Sequence, residues 1–146
     1  MPTQQAQHAA ACRLQAPESR EDWQAYHGIR RRVFNLPRPE EPNEPNSHAM
    51  LLFKEDQPIG AIQIDALAND AAALRLVAID PAHQGSGYGR IMLQEAEDFV
   101  RRLGLRQAVV YATPEAAGFY ADSGYDEEDW DDMCVGGIVQ MLKRLA

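Results

Sequence analysis

The stretch from Asp80 to Leu103, DPAHQGSGYGRIMLQEAEDFVRRL, joins an apolar strand to a long amphipathic helix through Gly85, Gly87 and Gly89. Glycine leaves no side chain where a backbone must turn tightly or let a ligand approach its N–H groups, and the helix that follows presents a partly positive N-terminus. The combination suits an anion, most often phosphate. Glycines alone fit a flexible turn equally well, so the surroundings carry the decision.

Upstream, HAMLLFK, IGAIQIDAL and AALRLVAID read as strands, with turns at Glu55-Asp56-Gln57-Pro58 and near Asn69-Asp70. Short connections predict an antiparallel meander in sequence order. Downstream, Met92, Ala96, Phe99 and Leu103, with Leu93 and Val100 beside them, form one apolar helical face. Glu97/Arg101 and Asp98/Arg102 are expected as i,i+4 pairs on the exposed side, and Gly104 ends the helix. Gln107 to Thr113, QAVVYAT, is the next strand. A helical crossover separates it from the strand before the glycines, which predicts that the two lie parallel. PEAAGFYADSG reads as a short helix with Pro114 in its first turn and Gly124 at its close, and a last strand is expected from Ile138 to Lys143.

At the other end, ACRLQA (Ala11 to Ala16) suits a first strand, and Ser19-x-x-Asp22 caps a helix carrying Trp23, Tyr26, Ile29, Arg30 and Val33 through Phe34. Arg30, Arg31 and Arg32 fit favourable helix-end electrostatics. Asn35 to Ser47 holds four prolines and three glutamates, which forbids regular helix and makes this loop a candidate wall of a substrate site. The resulting order, β-α-β-β-β-α-β-α-β, is an α/β domain with a mixed sheet.

Composition bounds the function. At 146 residues the chain suits one domain, residues 11–146, after a polar tail over 1–10. With 45% hydrophobic and 25% charged residues it reads as soluble, and no apolar run reaches the length of a bilayer span. The N-terminal stretch lacks the features of a secretory signal, which predicts a cytoplasmic protein. Cys12 and Cys134 stand far apart without zinc-ligand spacing, so no metal is expected. The net charge of −8 argues against a nucleic-acid partner and suits cationic ones.

Two common phosphate motifs fail against the glycine stretch. A P-loop needs Lys-Ser or Lys-Thr after its last glycine, where Arg90-Ile91 stands, and a dinucleotide fingerprint needs Gly or Ala at Arg90. What is present is Gln84-x-x-Gly87-x-Gly89 directly after a meander. This resembles the acyl-CoA signature of the GCN5-related N-acetyltransferase (GNAT) superfamily. The likeness continues through LRLVAIDPAHQGSGYGRIMLQEAEDFVRRLG and into TPEAAGFYADSGY, and so covers most of Leu74 to Tyr125.

The resemblance implies a mostly antiparallel central sheet with one splayed parallel strand pair and helices on both faces. It implies acetyl-CoA as co-substrate and a primary amine as acceptor, attacked directly in a ternary complex. Backbone N–H groups of Gly85, Ser86, Gly87, Tyr88, Gly89 and Arg90 would hold the pyrophosphate, with Gln84 fixing the loop. Main-chain groups of Val77, Ala78 and Ile79 would pair with pantetheine, flanked by Phe119. Tyr120 matches the general acid that protonates the leaving thiolate; a tyrosine simply packed in the core is the competing reading. Thr113 stands where many relatives have an asparagine that bonds pantetheine.

Arg75 and its neighbours offer no glutamate at a frequent position of the general base, so the base stays open. Glu41, Glu44 and His48 are acceptor-side candidates, His48 with an equally good structural role. The run DEEDWDD, Asp126 to Asp132, could attract an ammonium and stack it on Trp130, or be a solvated acidic loop. The acceptor is then expected to be small and cationic, and a homodimer is an open alternative to a monomer. A non-catalytic acyl-CoA sensor of the same fold, acting through a protein partner, is the rival reading.

Overall fold

The computed structural model describes residues 12–35, 45–128 and 137–145. They comprise β1 (Cys12–Gln15), α1 (Arg20–Phe34), β2 (Ser47–Lys54), β3 (Gln57–Ala66), β4 (Ala71–Ile79), α2 (Tyr88–Arg102), β5 (Gln107–Ala112), α3 (Ala117–Asp122), β6 (Asp126–Glu127) and β7 (Val139–Arg144). The strands form one seven-stranded sheet in the order β1-β2-β3-β4-β5-β7-β6. Every pairing is antiparallel except β4 with β5. The mixed sheet with a single parallel pair is the architecture expected from the sequence.

Alternation along the strands splits the apolar residues between two faces. Met50, Leu52, Ile62, Ile64 and Leu74 meet Met92, Leu93, Ala96 and Val100 of α2, whereas Leu51, Phe53, Ala61 and Ala78 meet Tyr26 and Ile29 of α1. Each fully buried Leu, Ile, Val or Met contributes about 1.5–3 kcal/mol of transfer free energy. The sheet is therefore clamped between helices. The cap of α1 forms as read, with Ser19 Oγ accepting from the Asp22 N–H at 3.1 Å.

Several local expectations are corrected. The two-residue strand β6 pairs with β7, so Asp126 and Glu127 begin the acidic run as strand rather than loop. Their low strand propensity concealed this, and they occupy the sheet edge, where charge is tolerated. Pro58 lies within β3 instead of the preceding turn, opposite Phe53, next to a register shift between Leu52 and Phe53. An irregularity of this kind is where a strand accepts a residue without an N–H. Helix α3 starts at Ala117, leaving Pro114 outside it.

Neither expected i,i+4 pair in α2 forms. Glu97 is buried, 3% exposed, and its carboxylate accepts from Tyr125 and Lys143, while Arg101 pairs with Asp98 at 2.7 Å. The arginine cluster of α1 also divides. Arg30 is 2% exposed and donates to the Tyr26 hydroxyl, and Arg32 reaches Asp80 at 2.9 Å, tying α1 to the start of the glycine loop.

Candidate functional site

The site begins with an interruption in the sheet. The register of β3 against β4 shifts between Ala61↔Ala78 and Gln63↔Arg75, so Leu76 and Val77 together oppose Ile62. Leu76 holds φ at 53°, a left-handed conformation that costs a non-glycine residue about 1–2 kcal/mol. Such a bulge bends its strand and leaves backbone unpaired. On the other side, pairing of β4 with β5 ends at Ala73↔Val109, although β4 continues to Ile79 and β5 to Ala112. The two parallel strands splay apart there, and the β5-facing edge of β4 past Ala73 has no ladder partner among the described residues.

Two cavities open along this edge. One, about 720 Å³, is lined by Ile79, His83, the loop from Gln84 to Arg90, and Phe119. The other, about 540 Å³, is lined by residues including Arg75, Leu76, Val77, Thr113 and Tyr120. Along β4, Val77 belongs to one and Ile79 to the other. Ala78 between them turns its side chain into the α1 core, so it can offer only main-chain groups to the cleft.

The glycine loop is held in place from several directions. Gln84 Nε2 donates to the Ile79 carbonyl at 2.9 Å, the Asp80 N–H donates to the Ile59 carbonyl at 2.8 Å, and Arg32 holds the Asp80 carboxylate. Gly85 and Gly87 have φ of 84° and 87°, and a Cβ on either would meet nothing within 4 Å. Gly87 is the N-cap of α2 and supplies no side-chain acceptor, so the first N–H groups of that helix are left to an external partner. Ser86 and Arg90 are exposed around this opening. The Tyr88 ring turns away into the core. A Cβ on Gly89 would lie 3.4 Å from the Phe119 ring, an ordinary contact, so Gly89 backs onto Phe119 without a clash that demands glycine.

Tyr120 is 8% exposed, its ring edge-on to Phe119 at 5.1 Å and to Tyr125 at 5.8 Å. Burial pushes its phenol up to about 12. It stays protonated at neutral pH, as a proton donor must. The Thr113 hydroxyl accepts from the Ala116 N–H at 3.3 Å and so caps the turn before α3.

The second cavity also contains residues the sequence reading passed over: Phe34, Gln63, Asp65 and Tyr111. Asp65 accepts from Ser47 Oγ at 2.5 Å and Gln63 Nε2 at 3.0 Å, and pairs with Arg75 Nε at 3.0 Å. The signal in the sequence was Arg75 itself, a lone charge inside the apolar run AALRLVAID. His48 is not among the residues lining this cleft. Its ring lies edge-on to Phe99 at 5.2 Å in a separate cavity with Trp23 and Arg102. Glu41, Glu44 and Trp130 lie outside the described residues. Among the described residues, no group of three or more His, Cys, Asp or Glu side chains converges as a metal site, and no helix is long and apolar enough to cross a membrane.

This fold recurs widely. The spermidine N-acetyltransferase from Vibrio cholerae, in complex with CoA and spermine, superposes with a TM-score of 0.74 at 18% identity, over 93% of this chain and 96% of that one. The PaiA N-acetyltransferase from Thermoplasma acidophilum, in complex with coenzyme A, gives 0.71 at 18% identity, over 91% and 98%. The ribosomal-protein-S18-alanine N-acetyltransferase from Escherichia coli gives 0.73 at 18% identity, over 92% and 94%. At such identities the likeness is one of fold. In sequence, the chain is 28% identical over 76 residues to the uncharacterized protein YyaT of Bacillus subtilis (strain 168); the match takes in 52% of this chain and about half, 51%, of that relative's length. Residues 9–125, most of the chain, match the acetyltransferase (GNAT) family, and the chain belongs to that family.

Proposed function

We propose that this protein is an acyl-CoA-dependent N-acetyltransferase that moves an acetyl group from acetyl-CoA to a primary amine by direct attack in a ternary complex. The observation that carries the reading is the unpaired β4 edge running from the open glycine loop to the cavity that holds Tyr120. The loop fits a pyrophosphate because its backbone is left-handed at Gly85 and Gly87 and no side chain would fill the space. Acetyl-CoA supplies the activated acyl group as a thioester.

The N–H groups from Gly85 to Arg90 hold the donor's phosphates at the start of α2. Main-chain groups of Val77, Ala78 and Ile79 pair with its extended arm as an added strand would, and one of their N–H groups polarises the acyl carbonyl. The Thr113 hydroxyl accepts from Ala116 and keeps its own O–H to donate, so it supplements the main-chain groups of β4 along the arm. Phe119 walls the arm, and Tyr120 returns a proton to the departing sulfur.

The acceptor arrives as an ammonium, in keeping with the net charge of −8, and loses its proton before attack. Asp65, the described carboxylate in the cleft, is engaged by three donors, so ordered water carries that proton away. Glu41, Glu44 and Trp130 are further acceptor-side candidates. Calorimetry with acetyl-CoA tests the reading: micromolar to submillimolar binding is expected, and no binding at millimolar donor overturns it.

A further inference from the structure

We infer that the acceptor carries a carboxylate beside its amine, as a free amino acid does, and that Arg75 is the residue that selects it. The inference rests on the acetyltransferase reading and deepens it.

Arg75 lines the cavity that contains Tyr120 and the bulge residues Leu76 and Val77. Its guanidinium is oriented before any ligand arrives. Nε pairs with Asp65 at 3.0 Å, Asp65 is itself fixed by Ser47 and Gln63, and the guanidinium carbon lies 5.5 Å from the centre of the Tyr111 ring. These contacts use Nε and one ring face. The terminal nitrogens make no hydrogen bond or ion pair among the described residues, and the side chain is 43% exposed.

A guanidinium held by Nε with its terminal N–H groups open offers paired donors to a planar anion. The carboxylate of Asp65 has no comparable opening, since donors already occupy both of its oxygens. Much of the remaining wall is apolar, including Phe34, Leu74 and Ala112. What the described part of the cavity still offers to a charged ligand is therefore positive, and it calls for an anion.

The position also suits the chemistry. Arg75 adjoins Leu76, so a carboxylate bound there brings an amine one or two bonds away toward the bulged backbone where attack is expected. A cation close to an ammonium favours its neutral form, which is the nucleophile. Arg75 thus binds the acceptor and eases its deprotonation, in a cleft whose described carboxylate is already engaged. No covalent bond to the enzyme is required: the amine nitrogen forms the amide bond as the carbon–sulfur bond breaks, the nitrogen's proton passes to water, sulfur takes the proton of Tyr120, and the Tyr120 phenolate regains a proton from water before the next turnover.

The test measures thiol release from acetyl-CoA with matched acceptors: the common amino acids, the same amino acids as carboxamides, and spermidine, each assayed over a pH range to correct for amine ionisation. Alongside it, calorimetry follows acetyl-CoA and N-acetyl amino acids binding to the wild type, Arg75→Gln and Arg75→Lys, with melting curves to verify folding. At least one amino acid should exceed its amide by about 10- to 100-fold in kcat/KM, the size of a bidentate charged hydrogen bond. Arg75→Gln should erase that preference and the binding of the matching N-acetyl amino acid while still binding acetyl-CoA, and Arg75→Lys should restore part of both.

Amides or spermidine serving as well as the acids, a preference that survives Arg75→Gln, or no turnover of any acid by an enzyme that binds acetyl-CoA would each overturn the inference and leave the donor reading standing. Failure to bind acetyl-CoA would overturn both.

Discussion

The phenol of Tyr125 donates to Oε2 of Glu97 at 2.8 Å, joining the turn between α3 and β6 to the middle of α2. Lys143 of β7 completes the join, donating to the other carboxylate oxygen at 2.9 Å and to the Ser123 carbonyl at 3.0 Å. Tyr125 also donates its backbone N–H to the Tyr120 carbonyl at 3.0 Å and sets its ring edge-on to that tyrosine. The network therefore holds the wall against which Tyr120 packs.

Removing one partner of this buried set strands the others. Glu97→Ala should destabilise the fold by about 3 kcal/mol, in the range seen when a buried ion pair loses one member. Glu97→Gln keeps a hydrogen-bond acceptor and should cost about 1 kcal/mol. Melting curves check the order. Glu97→Gln should also lower kcat more than it raises the KM for acetyl-CoA, because it disturbs Tyr125, which packs on Tyr120, and the hydrogen bonds of Glu97 go to Tyr125 and Lys143, neither of them in the glycine loop.

Glu97 also marks where sequence reading stopped. Helical periodicity identified most of the apolar face of α2, but Leu103, read as part of it, lies just past the helix and is 39% exposed, and a glutamate was assigned to solvent because buried carboxylates are rare. The partners that make burial tolerable, Tyr125 and Lys143, lie 28 and 46 residues away and are invisible to local pattern. The same boundary separates the two halves of the site. The donor side is built from contiguous segments, so strand, glycines and helix could be read as one motif. The acceptor side draws Phe34, Asp65, Arg75 and Tyr111 from four separate elements. Cross-strand pairing of Gln63 with Arg75 brings two of those elements together, and that register follows from a bulge with no glycine or proline to announce it.

Tyr120→Phe should lower kcat by about 100-fold, within the usual contribution of a positioned general acid, with little change in acetyl-CoA affinity. The wild-type profile should show no falling alkaline limb from Tyr120 below about pH 11, because its phenol is pushed up to about 12. The rising limb reports loss of the acceptor's ammonium proton. A limb near pH 10 that disappears in Tyr120→Phe would contradict the raised phenol, and an unchanged kcat in Tyr120→Phe would remove Tyr120 from the mechanism.

Stability should fall above pH 10. Burial raises the phenols of Tyr26, Tyr120 and Tyr125, with the neighbouring Glu97 charge adding to the effect at Tyr125. The unfolded chain releases these protons near pH 10 while the folded chain keeps them, so the unfolded state binds fewer protons and the stability slope is negative. The contribution is complete below pH 10 and is lost progressively as pH climbs toward the folded values, near 12 for Tyr120. Urea midpoints measured from pH 8 to pH 11.5 should stay level and then decline, and Tyr125→Phe should flatten the decline.

Gly87 and Gly89 should respond to alanine in opposite ways. Gly87 sits at φ 87° with nothing within 4 Å of a prospective Cβ, so Gly87→Ala meets no clash but does meet backbone strain of about 1–2 kcal/mol. Relaxing that strain rotates the N–H groups that open α2, and acetyl-CoA affinity should drop by at least tenfold. Gly89 already lies in the helix, where alanine is favoured by about 1 kcal/mol. Its new methyl would meet the Phe119 ring at 3.4 Å, an ordinary contact, so Gly89→Ala should melt at or slightly above the wild-type temperature. Any loss of affinity there should come from narrowing the passage beside Phe119, and Gly89→Ala combined with Phe119→Leu should recover it. Equal destabilisation by the two alanines would show that the loop's glycines serve flexibility rather than a left-handed backbone needed at Gly87 and not at Gly89.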